Sequence, residues 1–355
     1  MPSFHTALVQ STLQTPNPIN SMLTNAMRLT QNQRTNTQAT QAISKLPITR
    51  RYKRILWPTL RVKAFRALDL SEFDIIISNS NAEAKAVRKT RPGQIHIAYI
   101  HTPISCYWRH YEEFRREFKF GPFTTFVRPV ITVLVKKMRK LDLDSVKDID
   151  ILNANSEITR DRIKQYYKRS STVVHPPVDV DCFTPPPKGQ RSGYILWGSH
   201  VPYKRFDLAV QAANQLDAQL TIVGSGPDTA RLKKLAGPTV KFVGRVSDKE
   251  LVRLAQSAKG FLLPKEEDFG ISAVEALATG TPVIAYSKGG TLDIVQDGET
   301  GVLFNDQTVE SLVAAMKRFE ALTFLPATLH RKAKRFDKSL FNARIKKIVR
   351  DAIQQ

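Results

Sequence analysis

EEDFGISAVEALATGTPVIA, residues 266–285, decides how the second half of this chain is read. Its last residues, Thr281–Tyr286, form an apolar run that predicts a buried strand. Gly280, with Pro282 just beyond, ends a short helix predicted over 271–279. Before the helix, GFLLP (260–264) predicts another strand, so Lys265–Gly270 is a strand-to-helix loop. The first turn then exposes the amides of residues 270–273 at a positive helix end, which suits a phosphate. Two acids flank that turn, Glu267 and Glu275. On one continuous helix they would stand about 12 Å apart. With Glu267 on a loop folded over the helix start, both can line one pocket, where a carboxylate binds two sugar hydroxyls. A second reading stays open. Ser272-x-x-Glu275 fits a capping box, which makes Glu275 structural and Glu267 one acid of a solvated loop.

Working outward, strand and helix patterns alternate. GYILWGS (193–199), QLTIVGSG (219–226), VKFVGRV (240–246) and GVLF (301–304) predict strands. Residues 205–216, 248–258, 308–322 and 339–353 predict helices, with Ser247-Asp248 as a cap. In the first half FDIIISNSN (73–81), IHIAYIH (95–101), DIDILNANS (148–156) and STVVHPPV (171–178) predict strands. Residues 82–89, 124–143 and 157–167 predict helices. Alternation of this kind implies parallel sheets. Prolines at 176–187 predict a linker and therefore two domains with a cleft between them. Ligands of such sheets sit outside the carboxyl ends of the strands. The expected division is 1–49, an atypical, poorly ordered Thr/Gln/Asn-rich segment; 50–184, a first Rossmann-like domain; 185–335, a second; and 336–355, a C-terminal helix crossing back to the first domain.

The chain has 355 residues and a net charge of +22. Residues 1–185 carry +14 of it, and the first acid is Asp69, after ten Lys or Arg. Such a field favours anionic partners: lipid headgroups, nucleic acid or diphosphates. No helix-turn-helix or aromatic-basic RNA motif accompanies the charge, so no nucleic-acid partner is expected. Two cysteines, Cys106 and Cys182, give no disulfide framework and no zinc spacing, so no metal is expected and a reducing, cytoplasmic setting fits. No apolar run is long enough to span a membrane. The start, MPSFHTALVQ, has no apolar core behind basic residues and is not read as a secretory signal.

Other residues fall at strand ends. Lys204 and Arg205, in GSHVPYKR, follow strand 193–199 and can face a diphosphate. GSGPD (224–228) is Gly-rich without dinucleotide spacing and predicts a tight turn near a ligand. His101 ends strand 95–101 beside Thr102-Pro103.

Together these pieces resemble the family-4 retaining glycosyltransferases of the GT-B fold. The resemblance rests on E-x7-E (Glu267 to Glu275), VPYKR, VGSGP, FVGRVSD, GTPVIA and GGTLDIV, and is strongest over 194–304. IIISNS, YIHTP, ILNANS and VVHPPVD look like the subgroup that includes bacterial mannosyltransferases of O-antigen and capsule assembly. The resemblance implies two Rossmann-like domains facing a cleft, and hexose transfer, with GDP-mannose as donor and a membrane-associated glycan as acceptor. Glu267, Lys204 and His101 take the catalytic roles. Glu275 holds the ribose; Arg205, Gly224, Gly244 and the Phe269-Gly270-Ile271-Ser272 backbone complete the donor site. It implies no metal cofactor, and a peripheral location at the inner face of the cell membrane, which the KKMRK cluster (136–140) suits. Three departures stand out. Ser199 replaces an Arg five residues before Lys204. Ile104-Ser105 replaces Met-Arg after HTP. Residues 1–49 show no opening strand with a Gly-Gly loop, so the N-terminal domain is expected to be incomplete, with an unpaired strand edge.

Overall fold

The computed structural model describes residues 5–10, 59–109, 111–112, 124–186 and 189–354. By its internal packing the chain divides into two units, 1–175 with 342–355, and 176–341. The dividing point lies at Pro176, ahead of the 184/185 boundary expected from composition.

The first unit is built on a parallel sheet of β1 (Thr6–Gln10), β2 (Ile75–Ser80), β3 (Ile95–Ile100), β4 (Ile151–Ala154) and β5 (Thr172–Val173), in that spatial order. β2 is buried at all six positions, as a strand covered on both faces must be. β1 corrects the expectation of an incomplete domain. Its five residues pair in register with β2, Thr6 beside Ile75 through Gln10 beside Asn79, so β2 has a partner on both sides. Ala7, Leu8 and Val9 are buried. Asp74 Oδ2 accepts from the His5 amide at 2.9 Å, and the His5 carbonyl accepts from the amides of Asp74 and Ile75. The poor order expected over 1–49 therefore fails at 5–10; the remainder of that stretch lies outside the described residues.

Two further elements differ from expectation. Residues 82–89 form no α-helix, only a 3-10 turn at Ala84–Ala86, and the strand expected at 171–178 is two residues long before Pro176-Pro177 removes two donors. The turn has a physical cause. Lys85, 1% exposed, forms an ion pair at 2.8 Å with equally buried Asp142. Asp142 lies in α1 (Thr124–Asp144) and also accepts from Trp108 Nε1 at 2.7 Å and from the hydroxyl of Tyr167 at 2.9 Å. Tyr167 ends α2 (Glu157–Tyr167), so one carboxylate ties a turn to two helices.

The second unit carries a six-stranded parallel sheet in the order β11-β10-β9-β6-β7-β8. The strands are β6 (Tyr194–Trp197), β7 (Leu220–Val223), β8 (Val240–Gly244), β9 (Gly260–Leu263), β10 (Val283–Tyr286) and β11 (Gly301–Phe304). Chain order runs outward from β6 through β7 to β8, then restarts at β9 on the other side of β6. β6 and β9 therefore flank the switch point of a doubly wound sheet. Its helices are α3 (Phe206–Gln215), α4 (Thr229–Leu235), α5 (Asp248–Ser257), α6 (Ile271–Ala278), α7 (Val309–Glu320) and α8 (Pro326–Ala333), with α9 (Lys338–Ile353) beginning in this unit. Ser247 caps α5 through the Glu250 amide at 3.3 Å. α6 ends in a Schellman motif. Gly280 sits at φ 72°, and the amides of Gly280 and Thr281 bond the carbonyls of Leu277 and Ala276. α8, with Pro326 in its first turn, was not expected; its His330 bonds the Ala278 carbonyl at 2.7 Å and so closes the C-terminus of α6.

The buried pair yields a test. Lys85→Met leaves the Asp142 carboxylate without its cation and is expected to destabilise the first unit by about 3 kcal/mol or more. Urea unfolding followed by tryptophan fluorescence would measure it.

Candidate active site

At the carboxyl ends of β6, β7 and β9, three loops are held by backbone contact, the first two against each other and the third against the loop after β10. The first leaves β6 at Trp197. Gly198 takes φ 142° and lies against the ammonium of Lys204, which a Cβ there would meet at 2.9 Å. A 3-10 turn, Pro202–Lys204, then aims Lys204 back over the strand end, and Arg205, at φ 54°, starts α3. The second loop leaves β7. A Cβ on Gly224 would come within 2.0 Å of the Gly198 carbonyl oxygen, and one on Gly226 within 2.3 Å of the His200 carbonyl oxygen. Gly224 therefore serves loop-to-loop packing. Its amide bonds the carbonyl of Gly244, which sits at φ 74° with open space beside its Cα. His200 is fully buried between these loops, with Nδ1 2.8 Å from the Thr229 hydroxyl.

The third loop leaves β9 and carries Lys265–Gly270. Gly289 and Gly290 press against it: a Cβ on either would lie 2.3–2.4 Å from the carbonyl oxygens of Glu267 and Asp268, and the Gly290 amide donates to the Glu267 carbonyl at 2.8 Å. Glu267 is thus held by its backbone, with its side chain half-buried. Gly270, at φ 106°, turns the chain into α6. Phe269 is 3% exposed and packs edge-on to Phe336, with ring centroids 5.4 Å apart, so only its backbone is available to a ligand. The N-cap residue of α6, Gly270, has no side chain with which to cap it. The amides of Ile271 and Ser272, which have no intrahelical acceptor, stand at its positive end.

The capping-box reading of Glu275 fails on position. With Gly270 as N-cap, N3 is Ala273, and Ser272 and Glu275 are N2 and N5. Glu275 instead accepts from Trp197 Nε1 at 3.1 Å, and the Trp197 ring packs on Phe261 at a centroid distance of 4.1 Å. Burial pushes the Glu275 carboxyl up to about 7, the Trp197 hydrogen bond pulls it down, and the charge of Asp248 adds to the rise. Burial likewise lowers the pKa of Lys204, opposed by the charge of Glu267 and reinforced by that of Lys265. Arg205 is engaged by Asp207, Nε to Oδ1 at 3.3 Å.

The second unit therefore brings together Glu267, Glu275, Lys204 and the start of α6, with Gly224 and Gly244 at the neighbouring strand ends. Trp197 and Lys265 join them without having been singled out in the sequence. The bulky residue closing β6 and the Lys immediately after β9 are the signals that could have found them. His101 lies in the first unit at the carboxyl end of β3. Its Nε2 is 2.6 Å from Asn79 Oδ1, its amide bonds the Ser80 carbonyl, and its carbonyl accepts from the Thr159 hydroxyl at 3.1 Å.

Residues 186–336 match the family model described as glycosyl transferases group 1. Among curated proteins, the D-inositol 3-phosphate glycosyltransferase of Nocardioides sp. is 30% identical over 212 residues, covering 49% of this chain and 46% of that protein. The GDP-mannose-dependent alpha-(1-6)-phosphatidylinositol monomannoside mannosyltransferase of Mycolicibacterium smegmatis is 29% identical over 200 residues, covering 48% and 52%. The chain thus spans about half the length of the curated relatives it matches. Among solved structures, sucrose-phosphate synthase from Thermosynechococcus elongatus superposes with a TM-score of 0.68 at 20% identity, over 87% of this chain and 82% of that one. Anabaena HepE, solved with UDP and glucose, gives a TM-score of 0.67 at 15% identity over 98% and 99%. The fold is that of the GT-B glycosyltransferases, two Rossmann-like parallel-sheet units in series.

The raised Glu275 carboxyl sets a pH dependence. Between about pH 4.5 and 7 the folded chain holds a proton that the unfolded chain releases, so stability falls as pH rises through that window, by at most about 3 kcal/mol. Glu275→Gln removes the effect. Its melting temperature relative to wild type is expected to rise by several degrees between pH 5 and pH 8, read by thermal denaturation at both.

Proposed function

We propose that this chain is a retaining glycosyltransferase that moves a hexose, mannose from GDP-mannose, from a nucleotide-diphosphate sugar to a membrane-associated glycan. One observation carries the reading. Lys204 and Glu267 stand at the ends of adjacent strands flanking a switch point, beside a helix start whose N-cap, Gly270, brings no side chain. Cleavage of the donor bond builds negative charge on the departing diphosphate. The Lys204 ammonium and the α6 amides stabilise it electrostatically, a role that needs no resident metal. Glu267, close to that ammonium and half-buried, accepts from hydroxyls of the transferred sugar. Glu275, held by Trp197, accepts from the ribose. His101, held by Asn79, keeps the catalytic role that the resemblance implies.

The choice of GDP-mannose leans on the mycolicibacterial mannosyltransferase named above and on the subgroup likeness of the N-terminal motifs. The acceptor assignment leans on charge. Lys136, Lys137 and Lys140 are exposed on α1 beside exposed Val133, which suits attraction to an anionic membrane face. No helix among the described residues is long and apolar enough to cross a membrane.

A second reading, donor binding without transfer, has one observation in its favour. β1 is present, but the first glycine of the chain is Gly93, so no glycine loop follows that strand. Calorimetry with GDP-mannose beside a product assay separates the two, because binding without product favours the second.

Lys204→Ala and Glu267→Ala are each expected to lower transfer or donor hydrolysis by about a hundredfold or more, the size of effect seen when a single preorganised charge-stabilising group is lost. Melting temperatures should stay within a few degrees of wild type. Unchanged turnover in both variants would overturn the site assignment.

A further inference from the structure

Lys265 is a cation that the sequence motifs leave without a task. It follows Pro264 at the end of β9, and its Nζ lies 2.9 Å from Oε2 of Glu267, with the two side chains 14% and 19% exposed. The same ammonium sits 4.8 Å from the ring centroid of Tyr203, the residue beside Lys204. Its charge depresses the pKa of Lys204. Two ammonium groups, one from each strand at the switch point, therefore share the single carboxylate of Glu267. Among these three side chains the balance is one positive charge in excess, largely sheltered from water and next to the positive end of α6. An anion relieves that excess; without one, the two cations repel each other at reduced dielectric.

The neighbouring cations are otherwise engaged. Arg205 is turned to Asp207, and the exposed Arg245 donates to the Ser225 hydroxyl. Ser199, on the β6 loop, stands where the resembling family often carries an arginine, so that loop offers Lys204 as its cation toward the strand end.

We propose that Lys265 is a phosphate-binding residue of this site, supplying from the β9 loop the second positive charge that Ser199 does not supply from the β6 loop. The inference rests on the donor-site reading above. In the unliganded chain Glu267 neutralises Lys265. When a nucleoside diphosphate enters, phosphate oxygens take over the Lys265 ammonium, and Glu267 is released to accept hydroxyl hydrogens from the sugar. The ion pair thus keeps both residues in place while the site is empty and exchanges partners on binding.

Isothermal calorimetry of the full chain with GDP and with UDP tests it. Lys265→Gln is expected to weaken the diphosphate that wild type binds by about tenfold, the value of one charge-assisted contact, and to flatten its salt dependence. Lys265→Arg should recover most of the loss. The deciding comparison uses a Glu267→Gln background, which removes the ion pair. If Lys265 touches phosphate, Lys265→Gln still weakens binding there. If it only neutralises Glu267, the second substitution changes nothing and the proposal falls. Unchanged binding by the single Lys265→Gln variant also overturns it while leaving the donor site intact. A wild type that binds neither diphosphate would overturn the donor-site reading itself. Melting temperatures and circular dichroism of each variant separate lost contacts from lost folding.

Discussion

The reversal of strand order between β6 and β9 is the constraint from which the rest of the second unit follows. Strands β6, β7 and β8 are laid down in one direction and β9, β10 and β11 in the other, so the helices that follow β6 and β9 pass to opposite faces of the sheet. At this end loops close on each other by direct backbone contact in three places, at Gly198 with Gly224, His200 with Gly226, and Glu267–Asp268 with Gly289–Gly290. No side chain larger than hydrogen fits at these crossings. The glycines of the VGSGP and GGTLDIV motifs are thus explained by packing, and their effect on chemistry is indirect. They fix the backbone from which Lys204, Lys265 and Glu267 project.

The charges placed there are held against their preference. Burial drives Glu275 toward its protonated form and Lys204 toward its neutral form. In a structure optimised for its own stability such groups would be paired completely or replaced by apolar ones. Here they are paired in part. Glu275 has one donor in Trp197, and Lys204 has an opposite charge in Glu267 that Lys265 also claims. Incomplete pairing at a strand-end crevice points to groups whose full set of partners arrives with a ligand.

Much of this was legible in the sequence. β2, β6, β9 and β10 are short apolar runs closed by turn residues, because strands buried on both faces carry no polar alternation. Gly280 and Ser247 announced helix ends by local chemistry alone. β1 was not legible: Thr6–Gln10 has three buried apolar residues between polar ones, and its strand state depends on pairing with β2, some seventy residues away. Nor was the 3-10 turn at Ala84–Ala86, since a helix-like composition gives way there to the reach of Lys85 toward Asp142. α8 opens with a proline and is too short for periodicity to show. At the site, the Trp197–Glu275 hydrogen bond joins residues 78 apart and exists only because β6 lies beside β9. Strand adjacency is a property of topology, which local pattern does not encode.

The two readings left open for Glu275 are resolved by where α6 begins, and the outcome bears on the ligand. Had Ser272 been the N-cap, its hydroxyl would have satisfied a first-turn amide and the Glu275 carboxylate would have folded back over the helix start. The positive end would then have been occupied by the protein's own acid. Gly270 moves the start two residues upstream and contributes no side chain, at a cost of a few tenths to about 1 kcal/mol relative to a good cap. What that concession leaves is a helix start whose own N-cap supplies no acceptor, with Glu275 two positions further along the helix and turned toward Trp197. Vacating the helix end and placing the second acid of the E-x7-E pair are therefore consequences of one backbone choice, the left-handed turn at Gly270.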